Sequence, residues 1–186
     1  MIVVRGGGEF LEVLLVRRTP RARLMGGFWV FPGGAVDAGD GEGDAGHRAA
    51  AVRELEEEAA VGGLRPADLV KFSRWITPRE VETRYDTHFF IARLPETAQP
   101  QVDGDECVDL GWFTPTAALA AHDAGELPLV FPTIKHLEQL AAFPSARALI
   151  DHAAHHEVRP VTPRIVMEGP AARVLLPGEP GYEDVE

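Results

Sequence analysis

Phe31-Pro32-Gly33-Gly34-Ala35-Val36-Asp37-Ala38-Gly39-Asp40, followed after a short spacer by Ala49-Ala50-Ala51-Val52-Arg53-Glu54-Leu55-Glu56-Glu57-Glu58-Ala59-Ala60-Val61, is the stretch that decides the fold. A glycine loop leads into a segment rich in alanine, leucine and glutamate, the residues with the highest helix propensity. Val52, Leu55 and Ala59 recur at helical spacing and form an apolar stripe. Glu54, Glu57 and Glu58 stand at i, i+3 and i+4, so they share one face beside that stripe, while Glu56 points elsewhere. Three like charges on one face repel by a few tenths of a kcal/mol for each close pair. A divalent cation would offset that repulsion, and hard carboxylate oxygens suit Mg2+ or Mn2+. The other reading is a solvated acidic face.

The surroundings carry a more specific pattern. Gly34, Asp40, Arg53-Glu54, Leu55, Glu57-Glu58 and Val61 resemble the signature of the Nudix hydrolases: glycine, an acid, Arg-Glu, an apolar residue, Glu-Glu and a closing apolar residue. Three positions depart from it. Asp40 stands where the family has glutamate. Twelve residues, 41–52, separate Asp40 from Arg53 where the family has seven, and Gly41, Gly43 and Gly46 mark that spacer as flexible. Ala60 replaces the closing glycine, with Gly62 or Gly63 available to make the left-handed turn slightly later.

The resemblance covers roughly residues 10–143. It implies an α/β (α+β) Nudix fold, a mixed sheet sandwiched between helices, with residues 1–156 as the hydrolase domain and 157–186 as a C-terminal extension. It also implies hydrolysis of a diphosphate linkage in a nucleoside diphosphate derivative. Glu54, Glu57, Glu58 and the backbone carbonyl of Gly34 would hold Mg2+ or Mn2+, with Gly33 and Gly34 bringing backbone close to substrate. Arg53 would orient the carboxylates, pairing with Glu57 at i+4. A further acid would serve as base, and Glu106, in a loop just before a strand, is the candidate; an exposed loop glutamate is the alternative. A homodimer is common among similar proteins. A Nudix-fold binding module without catalysis is the second class of reading.

Composition bounds these expectations. The 186 residues suit one domain with an appendage. Eighteen Lys and Arg against 29 Asp and Glu give a net charge of −11, which argues against general nucleic-acid binding. Cys107 is the single cysteine and reads as a small buried hydrophobe. No apolar run reaches membrane-spanning length and Glu9 and Glu12 interrupt the N-terminal one, so a cytoplasmic protein is expected.

In chain order, 10–18 reads as a central strand, because Val13-Leu14-Leu15-Val16 is apolar on both faces. Arg17, Arg18, Arg21 and Arg23 follow. They read either as a solvated loop or as a phosphate clamp, with Arg18, Arg21 and Arg23 as substrate-binding residues. Residues 28–31 form a short strand with Trp29 in the core. Strands follow at 69–76, 83–94 and 108–113, and 95–105 reads as a polar loop. Thr114-Pro115 caps a helix to about 122. Helices at 132–142 and 146–155 follow, the second capped by Ser145. His88 is a structural strand residue, and His136, His152, His155 and His156 read as solvated. Two apolar runs, 164–167 and 173–176, predict a hairpin about Glu168-Gly169-Pro170-Ala171. Finally, 28–34 with Arg18, the long spacer, 84–90 and 112–115 resemble the peroxisomal-type coenzyme A diphosphatase branch, against ADP-ribose or nucleotide-sugar cleavage as the alternative.

Overall fold

A computed structural model describes residues 1–94, 97–168 and 171–183. The expected loop start at 95–96 and the hairpin tip at 169–170 lie outside them. The described chain forms two compact units: Met1–Val70 with Phe90–His155, and Lys71–Phe89 with the chain from His156.

The first unit is built on β1 (Ile2–Arg5), β2 (Glu12–Arg18), β3 (Trp29–Val30), α1 (Gly43–Ala59), α2 (Pro115–Asp123), α3 (Phe131–Leu140) and α4 (Ala146–His155). β5 (Asp86–Arg93) contributes its second half, after β4 (Val70–Ile76), and β6 is Cys107–Phe113. β2 is the central strand. It pairs antiparallel with β1, β3 and β6, while β1 runs parallel to the end of β5 through Ile2↔Ile91 and Val4↔Arg93. The sheet is therefore mixed. Val13, Leu14, Leu15 and Val16 are all fully buried, as a strand covered on both faces requires.

Strand alternation sorts the core. Leu14 and Val16 pack with Val3, Phe90, Cys107, Leu55 and Ala59, which places α1 against this face. Residues of the opposite parity, Val13, Leu15, Ile2, Val4 and Ile91, are equally buried. Leu137, Leu140 and Leu149 are the largest apolar residues that α3 and α4 bury. α4 is tied to the β1–β2 connection where the Ala146 and Arg147 amides donate to the carbonyls of Phe10 and Gly7. Trp29 is buried and meets Phe113 edge-on at 5.6 Å between ring centroids. The caps hold as expected: Thr114 Oγ1 accepts from the Ala117 amide and Ser145 Oγ from the Ala148 amide.

Three expectations fail. The spacer is not a flexible run, since α1 begins at Gly43 and carries Gly46 inside it, where a Cβ would strike the carbonyl of Gly41. The helix ends on Ala60 itself in the left-handed region (φ 52°), its amide donating to Glu56, so the turn is not delayed to Gly62 or Gly63. His136 is buried at 1% exposure, because Thr133, His136, Leu137 and Leu140 form one inward helical stripe. Its Nδ1 lies 2.6 Å from the Pro132 carbonyl, and burial holds its pKa down at about 4.

The second unit holds the rest of β4 paired in parallel with β7 (Pro160–Val161), and the hairpin β8 (Arg164–Glu168) with β9 (Ala171–Leu175), in register from Arg164↔Leu175. No helix among the described residues is long and apolar enough to cross a membrane.

Candidate active site

A cleft of about 510 Å³ opens in the first unit, lined by residues of the glycine loop, α1, the end of β2 and the loop before β6. Glu58 forms its floor and is 3% exposed. Glu54 is 13% exposed at its side chain and Glu57 is 58% exposed, so burial deepens across the shared helix face.

The glycine loop comes to this face through its backbone. The Gly33 amide donates to Glu58 Oε2 at 2.8 Å, from a backbone at φ +150° that side chains rarely adopt. At Gly34 a Cβ would collide with the Glu54 carboxylate, so a larger residue there would have to displace that side chain.

Arg53 ties loop to helix. Its Nη1 donates to Glu54 Oε1 and Glu57 Oε2, both at 2.9 Å, and its Nη2 to the Ala35 carbonyl. Its Nε and Nη2 form a fork on Asp40 at 3.1 and 2.9 Å. The expected i+4 pair with Glu57 is present, and Asp40 proves to be the main anchor of the arginine. Hydrogen bonding from Arg53 holds the Asp40 carboxyl below its usual range. Burial raises Glu54, with the Arg53 hydrogen bond opposing. Burial pushes Glu58 up to about 7, against the Gly33 hydrogen bond.

Of the arginine cluster, Arg18 reaches the cleft. It shares the parity of Leu14 and Val16 and so faces α1. Its Nη1 is 3.7 Å from Glu58 Oε1. Both Glu58 Oε1 and Arg18 Nε are buried without a hydrogen-bond partner among the described residues. Arg21 and Arg23 are exposed and lie outside the cleft lining. Glu106 lines the cleft, as does Asp103, which the sequence reading passed over. The Asp103-Gly104 pair, a turn signal, was the available clue. Burial raises the Asp103 carboxyl, but hydrogen bonds from the amides of Glu106, Cys107 and Asp105 outweigh it and hold the group below its usual range. Cys107 is fully buried and burial lifts its thiol to about 12, so it is inert.

Among the described residues no three acids or histidines are gathered into a ready metal shell. Arg53 occupies oxygens of Glu54 and Glu57, and Gly33 one of Glu58. The remaining oxygens, above all the buried Oε1 of Glu58 with no hydrogen bond, are hard donors of the kind Mg2+ takes. The donor set fits such an ion.

Comparison with known proteins identifies the family and the fold. A family model described as NUDIX domain matches residues 1–131. Nudix hydrolase 7 of Caenorhabditis elegans is 24% identical over 164 residues, 70% of this chain and 56% of its own length. The chain thus spans little more than half of that relative. The crystal structure of a Nudix hydrolase from Alicyclobacillus acidocaldarius superposes with a TM-score of 0.70 at 27% identity, covering 81% of this chain and 92% of that one. A MutT Nudix hydrolase from Burkholderia pseudomallei gives 0.53 at 25% identity, covering 74% and 96%.

Proposed function

The chain belongs to the Nudix family of hydrolases, and from that premise we propose that it is a Mg2+- or Mn2+-dependent hydrolase of a diphosphate linkage in a nucleoside diphosphate derivative. One observation carries the reading. Glu58 buries a carboxylate at the floor of an open cleft and leaves Oε1 without a hydrogen bond, faced only by the Arg18 guanidinium at 3.7 Å. A buried carboxylate oxygen that lacks a hydrogen bond costs stability and is retained where a ligand completes it.

In this reading Glu54, Glu57 and Glu58, with the Gly34 carbonyl, hold the metal. When bound, it supplies Lewis acidity toward a phosphoryl oxygen and makes a bound water more acidic. Arg53, anchored on Asp40, keeps Glu54 and Glu57 aligned. Gly33 and Gly34 allow backbone to approach the diphosphate, and Arg18 offers a guanidinium to a phosphate oxygen. Glu106 takes the proton of the attacking water. The reading confines catalysis to 1–156 and leaves 157–186 as an extension. A cytoplasmic homodimer belongs to the same proposal.

Coenzyme A is the substrate we favour, on the resemblance of 28–34, 84–90 and 112–115 to the coenzyme A diphosphatases. Coenzyme A carries a 3′-phosphate besides its diphosphate, and the exposed Arg21 and Arg23 are cations available to it. The test is kcat/KM for coenzyme A, dephospho-coenzyme A and ADP-ribose, in Mg2+ and in EDTA. Metal-dependent release of 3′,5′-ADP and 4′-phosphopantetheine is expected. ADP-ribose outperforming coenzyme A tenfold removes the substrate assignment. Tight binding without turnover across the panel favours the non-catalytic module.

A further inference from the structure

β6 does not run straight along β2. The register holds from Val13↔Phe113 to Arg17↔Asp109, then steps to Arg18↔Cys107, leaving Val108 as the extra residue of a bulge. Bulges of this kind re-aim side chains. Leu110 and Trp112 pack with the cluster beneath α1. Unbroken alternation would put residue 108 with them and turn 107 to the opposite face. The bulge instead returns Cys107 to the α1 face, fully buried, and leaves Val108 41% exposed. The chain just before it, 103–106, therefore enters at the cleft.

That segment is held by one side chain. Asp103 Oδ2 accepts from the amides of Glu106 at 2.8 Å and Asp105 at 3.2 Å, and Oδ1 from the amide of Cys107 at 2.9 Å. Gly104, at φ +85°, closes the turn with its amide on the Cys107 carbonyl. The Glu106 carbonyl accepts from the Thr19 amide at 2.8 Å. The backbone of Glu106 is thus gripped at both its amide and its carbonyl. Its carboxylate, by contrast, makes no hydrogen bond or ion pair among the described residues. Asp103 and Glu106 both line the cleft, and their roles divide: the oxygens of Asp103 are spent on three amides, while those of Glu106 are free to reach a water.

We infer that Asp103 is a positioning residue that acts through Glu106, clamping the turn that delivers the Glu106 carboxylate to the cleft. The inference rests on Glu106 serving as base in the hydrolase reading above. Asp103→Ala, Asp103→Asn, Glu106→Gln and the Asp103→Ala/Glu106→Gln double variant test it. Two readouts are needed. Amide hydrogen exchange at residues 105–107 should quicken about tenfold in Asp103→Ala, the loss of one good hydrogen bond at each site, and less in Asp103→Asn, which keeps one acceptor oxygen. With Mg2+ and whichever of coenzyme A, dephospho-coenzyme A and ADP-ribose turns over fastest, kcat should fall about tenfold with KM within twofold. In the Glu106→Gln background the same substitution should add less than a twofold loss, because the two act as a unit. Multiplying losses, or a change in KM alone, overturns the inference. So does loss of turnover in Asp103→Asn beside an unimpaired Glu106→Gln, which would make Asp103 itself the base. Unchanged exchange in Asp103→Ala sinks the positioning whatever the turnover. Absence of wild-type turnover on all three compounds instead sinks the hydrolase reading.

Discussion

Glu58→Gln should make the protein more stable at neutral pH while abolishing turnover. Burial raises the Glu58 carboxyl from 4.5 to about 7 in the folded chain. A carboxyl with a raised folded-state pKa binds its proton more tightly when folded. Its contribution to stability is full below pH 4.5 and is lost as pH rises through about 7. One pKa unit is about 1.4 kcal/mol, so the ionised group costs up to about 3 kcal/mol at pH 8. Glutamine resembles the protonated acid and keeps an oxygen for the Gly33 amide. Some of the cost relaxes in practice, and a gain of about 1–3 kcal/mol is expected at pH 8, falling to about zero near pH 4.5. For a chain of this length that is a rise in Tm of several degrees. The assay is urea unfolding of both proteins in EDTA at pH 4.5, 6, 7 and 8. The quantity read is the difference between them, because the buried His136 titrates in the same window in both. Mg2+ should stabilise wild type and narrow the gap. A difference that stays flat across the range, or a Gln variant weaker at pH 8, refutes the reasoning.

Two further outcomes concern the frame of the site. Ala60 sits at φ 52°, a conformation costing an L-residue about 1 kcal/mol or more, partly offset by glycine's greater freedom when unfolded. Ala60→Gly should therefore raise stability by about 0.5–1 kcal/mol in chemical denaturation with kcat unchanged; a loss of stability contradicts the left-handed cap. Burial holds His136 near 4 against 6.5 in the unfolded chain, so its contribution is present above pH 6.5 and lost as pH falls toward 4. In His136→Leu the fall in stability between pH 6.5 and 4 should be shallower than in wild type, and parallel curves would show that the imidazole is not buried neutral.

Much of the site was legible because it depends on short-range spacing. The i, i+3, i+4 placement of Glu54, Glu57 and Glu58 puts them on one helix face in any fold. The pairing of Arg53 with Glu57 follows from the same geometry. The stripe that buries His136 also stood in the sequence at Thr133, Leu137 and Leu140. It was misread because a histidine among polar neighbours looks solvated until something covers it.

What the sequence determined by itself was therefore periodic: the central strand with Val13–Val16 apolar on both faces, the helices with their caps at Thr114 and Ser145, and the shared carboxylate face. Propensity and side-chain direction act within a few residues, so the chain carries them locally. Only the tertiary structure decided the rest. It extended α1 back to Gly43 and through Gly46, and at Gly46 the backbone of Gly41 leaves no room for a side chain. It gave Asp40 to Arg53 across thirteen positions. It left Arg21 and Arg23 outside the cleft that Arg18 enters. And it bulged β6 at Val108, so that Asp103 could hold Glu106 beside carboxylates some fifty residues away in the chain. Those outcomes depend on which backbone meets which across the sheet, and no local pattern encodes that meeting.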